Sequence, residues 1–287
     1  MNRSVFARAA IAKALRLRSE HGWSCANPGC VFDLAAKVGV DVRFEALPSM
    51  EGIYFPNGVM PIVLVSALRP PGRRAFNAAH ELGHHVFGHG AQFDELVEER
   101  STLRRNDPDE YVANCFAGEL LMPKAAVSRA FAVRKLTAGS CCPEAVYVIA
   151  TYFGVGFGTL VNHMCISLGL INRTRAEELL RNQPLDLRGR ILGAECRNNL
   201  VVADTNWVGR AIDLEVGDLV CAPPDVLFEG RCTEIVERNS ARVVLRAVTT
   251  GIGRLAAGPW ASFVRVSRKD YAGRAVYRFE EEVSDGE

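Results

Sequence analysis

The chain has 287 residues, enough for two domains and for at least one sizeable core. Basic and acidic residues nearly cancel, 34 against 33, and 48% of positions are hydrophobic, which excludes a wholly disordered chain, a basic nucleic-acid tail and an acidic solvating tail. Four of the six histidines, His80, His84, His85 and His89, crowd into ten residues.

The first nineteen residues carry Arg3, Arg8, Lys13, Arg16 and Arg18 and no acid. That is transit-peptide composition, but the apolar stripe runs straight on into folded-looking sequence, so an amphipathic surface helix with a basic face is expected. Residues 31–38 read as a short helix and 40–44 as a half-buried strand. Residues 52–55 and 60–66 read as two more strands around Pro56-Asn57-Gly58. Pro70, Pro71 and Gly72 stop this sheet and launch a helix over 73–87, ended by Gly88 and Gly90. A charged loop with Asp94, Glu95, Glu98, Glu99, Arg100, Arg104 and Arg105 leads to Pro108, which suits the first turn of a helix over 108–122.

Helices over 125–134, 143–153, 159–168 and 174–181 follow. Residues 145–172 contain no Asp, Glu, Lys or Arg. That exceeds the ~20 residues a membrane span needs, yet Gly154, Gly156 and Gly158 break it into two short buried helices, and no membrane partner is expected. Asn182-Gln183-Pro184 reads as a linker. Short β-rich runs then alternate with turns at 191–194, 200–203, 219–222, 233–237, 242–247 and 263–266. The acidic residues 280–287 are expected to fray. Nine cysteines, an odd number with no CxxC pair and no secretory signal, fit a reduced cytoplasmic protein better than a disulfide scaffold.

The chemistry concentrates in His80-Glu81-Leu82-Gly83-His84. Histidines four apart lie one above the other on a helix, so His80 and His84 can converge on one tetrahedral ion such as zinc. Glu81 projects beside that ion and can take a proton from its water, whose pKa zinc lowers towards ~7. The bland alternative, a core helix with hydrogen-bonded histidines, would bury two histidines and a glutamate at considerable cost. For a third ligand, His89 misses the spacing of families that use a downstream histidine, and it falls off the His80/His84 face if the helix continues. His85 and His89 are therefore expected on the solvent side or behind the ligands. On the next helix Glu110, Ala113, Asn114, Ala117 and Leu121 share one face, and the small alanines permit close approach. Glu110 is the favoured acid; Glu119 lies about half a turn round and is the alternative. Asn114 is one turn on and can hydrogen-bond a ligand or substrate. Tyr54, Tyr111 and His85 are the possible oxyanion partners. A cysteine reaching the ion would silence the site, but Cys115 points away from the Glu110 face.

Residues 76–84, then Glu110-Tyr111-Val112-Ala113-Asn114-Cys115-Phe116-Ala117 and Leu120-Leu121-Met122-Pro123, together resemble the ImmA/IrrE family of zinc metallopeptidases. The resemblance runs from about Val31 to Ile171. It implies His80, His84 and Glu110 as ligands of Zn2+, Glu81 as general base, and a zincin-like fold in a bacterial cytoplasmic or phage-derived protein. It also implies a helix-turn-helix transcriptional repressor as the substrate, with cleavage turning on DNA-damage, mobile-element or defence genes. Asn77 stands where threonine is common, and the segment at Gly156-Phe157-Gly158 lacks a serine usual in that family.

The expected architecture is α+β. Residues 1–183 form a zincin-like peptidase domain whose helical extension, about 140–181, is helix-turn-helix-like. Residues 184–287 form a smaller β-rich, GAF-like sensor or regulatory domain. The alternative function is a DNA-binding regulator with a structural or vestigial zinc site. Against it, Thr159, Asn162 and His163, which should face a groove, include no Arg or Lys. A nucleic-acid effector could meet a basic patch of Arg73/Arg74 and Arg100/Arg104/Arg105, although most such arginines are simply solvated.

Overall fold

Strands β1 (Asp41–Glu45), β2 (Met50–Phe55) and β3 (Ile62–Ser66) are short, β3 being rich in β-branched residues, and they form the middle of a five-stranded sheet. The computed structural model describes residues 3–95 and 107–280. The acids and arginines of the charged loop from Glu98 to Arg105, and the acidic tail after Glu280, lie outside the described residues.

Before the sheet come helices α1 (Arg3–Glu20) and α2 (Val31–Lys37), and after β3 comes α3 (Pro71–Phe87). A fourth strand, β4 (Gln92–Glu95), pairs antiparallel with β2. Helix α4 (Pro108–Leu121) has Pro108 in its first turn and Asp107 as its N-cap, whose carboxylate accepts from the Asp109 N–H at 2.9 Å. Helices α5 (Lys124–Val133), α6 (Pro143–Phe153), α7 (Phe157–Ile166), α8 (Arg173–Leu180) and α9 (Pro184–Leu192) complete the helical part. The expected linker is thus the start of a helix, with Pro184 in its first turn. The run at 191–194, expected as strand, is that helix's end, where Gly193 closes it at φ 69°.

The opening helix is only partly the basic surface element anticipated. Arg18 is fully buried, and its guanidinium donates to the carbonyls of Leu120, Ser24 and Asn27. Leu120 sits in the last turn of α4, so Arg18 binds that helix's otherwise orphaned C-terminal carbonyls with a favourable charge. His163 adds a second contact there, 3.0 Å from the Met122 carbonyl. Burial holds its pKa down at about 4, so it is the neutral ring that donates. His163 is therefore a core residue and not one that faces a groove.

Helices α6 and α7 bend by 97° at their junction, and no single described helix is long and apolar enough to cross a membrane. The Tyr147 hydroxyl donates to the Leu200 carbonyl at 2.8 Å and that of Tyr152 to Val208 at 2.9 Å, which ties α6 to the C-terminal half.

That half is built from β5 (Leu200–Val202), β6 (Ile212–Glu215), β7 (Leu219–Ala222), β8 (Leu227–Glu229), β9 (Thr233–Arg238), β10 (Val243–Ala247), β11 (Gly251–Ala257) and β12 (Trp260–Ser267). They form two four-stranded sheets, in the orders β5-β7-β10-β9 and β6-β12-β11-β8. Two small sheets, rather than one sheet layered with helices, are not a GAF-like arrangement. The chain then returns: β13 (Gly273–Arg274) pairs antiparallel with β1 and becomes the edge of the N-terminal sheet, ordered β13-β1-β3-β2-β4. Arg274 reinforces the join with a 2.9 Å ion pair to Asp41. Arg74, near the start of α3, pairs with Glu215 at 2.6 Å with both side chains almost buried, so the C-terminal half also grips the helix that carries the histidines.

Candidate metal centre

Helix α3 buries Ala78, Ala79 and Leu82 against the sheet, and this apolar stripe sets its rotation. His80, Glu81 and His84 are consequently buried as well, His84 and Glu81 completely. Helix α4 crosses α3 where Gly83 meets Ala113, so closely that a Cβ on Gly83 would stand 3.1 Å from the Ala113 Cα. That close approach brings Glu110, in the first turn of α4, over the two histidines. The positive end of the helix dipole favours its carboxylate there.

His80 and His84 Nε2 are 3.0 Å apart, and Glu110 places its two oxygens 3.4 Å from His80 Nε2 and 3.6 Å from His84 Nε2. One ligand atom from each residue lies within 4.8 Å of the others. Tetrahedral ligands on bonds of ~2.0–2.1 Å stand ~3.3–3.4 Å apart, so the donors are spaced to share one small divalent ion. Burial, aided by the neighbouring His80, holds the His84 pKa down at about 3, so at neutral pH its ring keeps a lone pair for a metal. Among the described residues these are three protein donors, the number that catalytic zinc sites use, with a fourth tetrahedral position left over.

Glu81 leans the other way. Its carboxylate lies against strand β2, where a Cβ on Gly52 would come within 2.6 Å of Glu81 Oε1. Tyr54, two residues along β2, has its hydroxyl 3.0 Å from His85 Nδ1, and burial raises the tyrosine pKa and lowers that of the histidine. His85 thus contacts a strand neighbour rather than a ligand side chain. Asn114 is exposed and donates to the Glu110 backbone carbonyl at 2.8 Å. Tyr111 turns towards α1, with Arg3 5.6 Å from its ring centre and Cys115 as a hydrogen-bond partner. Glu119 lies near Arg18 and accepts from the Lys124 N–H at 3.3 Å, at the opposite end of α4 from Glu110. Of the basic patch, Arg74 is occupied by Glu215 and Arg73 by Glu51 at 2.7 Å, and the other three arginines lie outside the described residues.

Of the two placements expected for His89, solvent side or behind the ligands, the structure shows the second. The helix does not continue past Phe87: Gly88 takes a left-handed conformation, φ 69°, and turns the chain back. The His89 ring returns to 2.8 Å from His84 Nδ1 and reaches Asp109 with its other nitrogen at 3.4 Å. The helix-ending Gly88-x-Gly90 pair was the available signal.

Two histidines four apart and a helix-borne glutamate around one ion position are the donor set of a metallopeptidase. Residues 35–164, which contain all three donors, match the family model Peptidase_M78, the IrrE N-terminal-like domain, and this part of the chain belongs to that metallopeptidase family. A search of curated proteins finds no match. Among solved structures, a Mycobacterium tuberculosis transcriptional regulator is similar over 55% of this chain and 46% of that one, at 21% identity and a TM-score of 0.37. The chain thus spans about half the length of that structure, and a likeness at this level says nothing of what the protein does.

Proposed function

We propose that the chain is a zinc-dependent endopeptidase of the bacterial cytoplasm that cleaves a helix-turn-helix transcriptional repressor and so derepresses stress, mobile-element or defence genes. The observation that carries the catalytic part is the convergence of His80, His84 and Glu110 with Glu81 buried beside them. The substrate class rests on the resemblance to the ImmA/IrrE peptidases. All nine cysteines are free, as a reducing compartment would keep them.

The two histidines and Glu110 would hold the ion, and Glu81, which is no part of that donor set, would accept the water's proton. A zinc ion bound there supplies Lewis-acid polarisation of the scissile carbonyl and a water of lowered pKa. Glu81 Oε takes a proton as the water oxygen bonds to the carbonyl carbon, then delivers it to the amide nitrogen as the C–N bond breaks. The absence of a side chain at Gly52 leaves Glu81 room to do so. Gly52→Ala is expected to cost about 1 kcal/mol of stability or less, because only the flexible end of Glu81 must yield. The displaced carboxylate should slow cleavage by up to ~10²-fold at unchanged metal content. Cleavage rate measured beside metal content checks this.

Residues 184–287 are proposed as the regulatory part. Arg74–Glu215 and the β13–β1 pairing connect them to the metal-bearing helix and to its sheet. The buried His163 and the clamped α6 count against α6–α7 as a DNA reader. The reading is tested by mixing the zinc-loaded full chain with the repressors encoded near its gene. Cleavage of one of them at a single site, abolished by a chelator, is the expected result. Salt-dependent DNA binding without cleavage of any repressor would contradict it.

A further inference from the structure

His89 and Asp109 form a chain of contacts behind the metal position. The Gly88 turn is pinned by Gly88 N–H to the His85 carbonyl at 3.1 Å and by His89 N–H to the His84 carbonyl at 2.9 Å. The His89 ring stacks on Phe87, centroids 5.9 Å apart at 27°, and meets the His84 ring edge-on at 5.0 Å. Its side chain is only 11% exposed, so its place is set by packing as well as by polar contacts.

Two imidazole nitrogens 2.8 Å apart need one proton between them. If His84 offers its Nε2 lone pair to an ion, its proton must sit on Nδ1. His89 Nδ1 must then accept, which places the His89 proton on Nε2, the nitrogen that faces Asp109 Oδ1 at 3.4 Å. A single assignment of protons satisfies all three groups. Asp109 is also the residue before Glu110 on α4, so the same contacts tie the helix of the histidine donors to the helix of the carboxylate donor.

We propose that His89 and Asp109 are positioning residues that lock His84 in its metal-binding tautomer and hold α4 against α3, so that the three donors are pre-organised before an ion arrives. This rests on the metal-site reading above. Partners behind a ligating histidine typically alter metal affinity by ~10–100-fold.

The test is a zinc titration of the full chain against a chromophoric chelator, repeated with Co2+ to read the visible spectrum. His89→Ala should weaken binding by ~10–100-fold and shift the cobalt bands. Asp109→Asn should weaken it in the same direction but less. His89→Asn, which keeps an acceptor near the former Nδ1, should recover most of the affinity. Should His89→Ala fail to fold, Asp109→Asn at a half-exposed helix start and the imidazole 15N spectrum of the metal-loaded wild type decide instead. That spectrum should show protons on His84 Nδ1 and His89 Nε2. Unchanged affinity and spectrum in the variants, or a proton on His89 Nδ1, would overturn the relay while leaving the metal site standing. A wild-type chain that binds neither ion would overturn both.

Discussion

Glu81→Gln is expected to slow peptide-bond cleavage by ~10²–10⁴-fold, the usual contribution of a positioned general base. The substitution is nearly isosteric, so the contact with Gly52 is retained and the helix packing around it is undisturbed. It removes only the capacity to accept a proton from water and return it to the leaving nitrogen. His80, His84 and Glu110 are untouched, so metal content should equal that of the wild type. Folding should not suffer either, because Glu81 is fully buried and a neutral amide costs less to keep there than a carboxylate. Rates of substrate cleavage, metal content and melting temperature measured on one preparation give the decisive pattern. A variant that cleaves as fast as the wild type removes Glu81 from the mechanism.

The largest effect on stability is expected from Arg18→Ala. The guanidinium serves three carbonyls in two places, the end of α4 through Leu120 and the loop after α1 through Ser24 and Asn27, and it lies 5.2 Å from the centre of the Trp23 ring. Truncation leaves buried acceptors without a donor and opens a void, together on the order of 3–5 kcal/mol. For a chain of this size that corresponds to a fall in melting temperature of about 10 °C. Arg18→Lys should rescue little, since a single ammonium cannot reach acceptors that a planar five-donor fork spans. Calorimetry of both variants checks this. A loss below about 1 kcal/mol would mean that α1 is not the brace of the helix that presents Glu110.

The helix of the two histidines was legible because its information is local. The spacing of His80 and His84, the apolar stripe from Phe76 to Phe87 and the helix-stopping Gly88 all sit within a few turns. Glu110 was also within reach, because helical spacing puts it on the face where Ala113 lies against Gly83. For His89 the sequence left two placements open, solvent side or behind the ligands, because after a reversal at one left-handed glycine helical periodicity no longer says where a side chain points. Arg18 read as surface charge for a similar reason: the carbonyl it serves in α4 is distant in sequence.

The C-terminal half was harder. Strand β11 contains Gly251, Gly253 and two alanines, which have little strand preference, and Gly253 is required because the Phe228 ring packs on its backbone. Strand β13 has two residues and acquires its meaning only by pairing with Arg43 and Phe44. The Pro184 signal was real but was read as a break, whereas proline at a first helical turn begins α9.

That His80, His84 and Glu110 hold one catalytic ion is tested most directly by metal per chain in the purified 287-residue chain and in Glu110→Ala. One tightly held zinc ion is expected in the wild type. In the variant a loss of affinity exceeding the ~10–100-fold expected of the residues behind the ligands is expected, with the fold retained. A wild-type chain without a divalent ion, or a Glu110→Ala variant that holds zinc as tightly as the wild type, would contradict it.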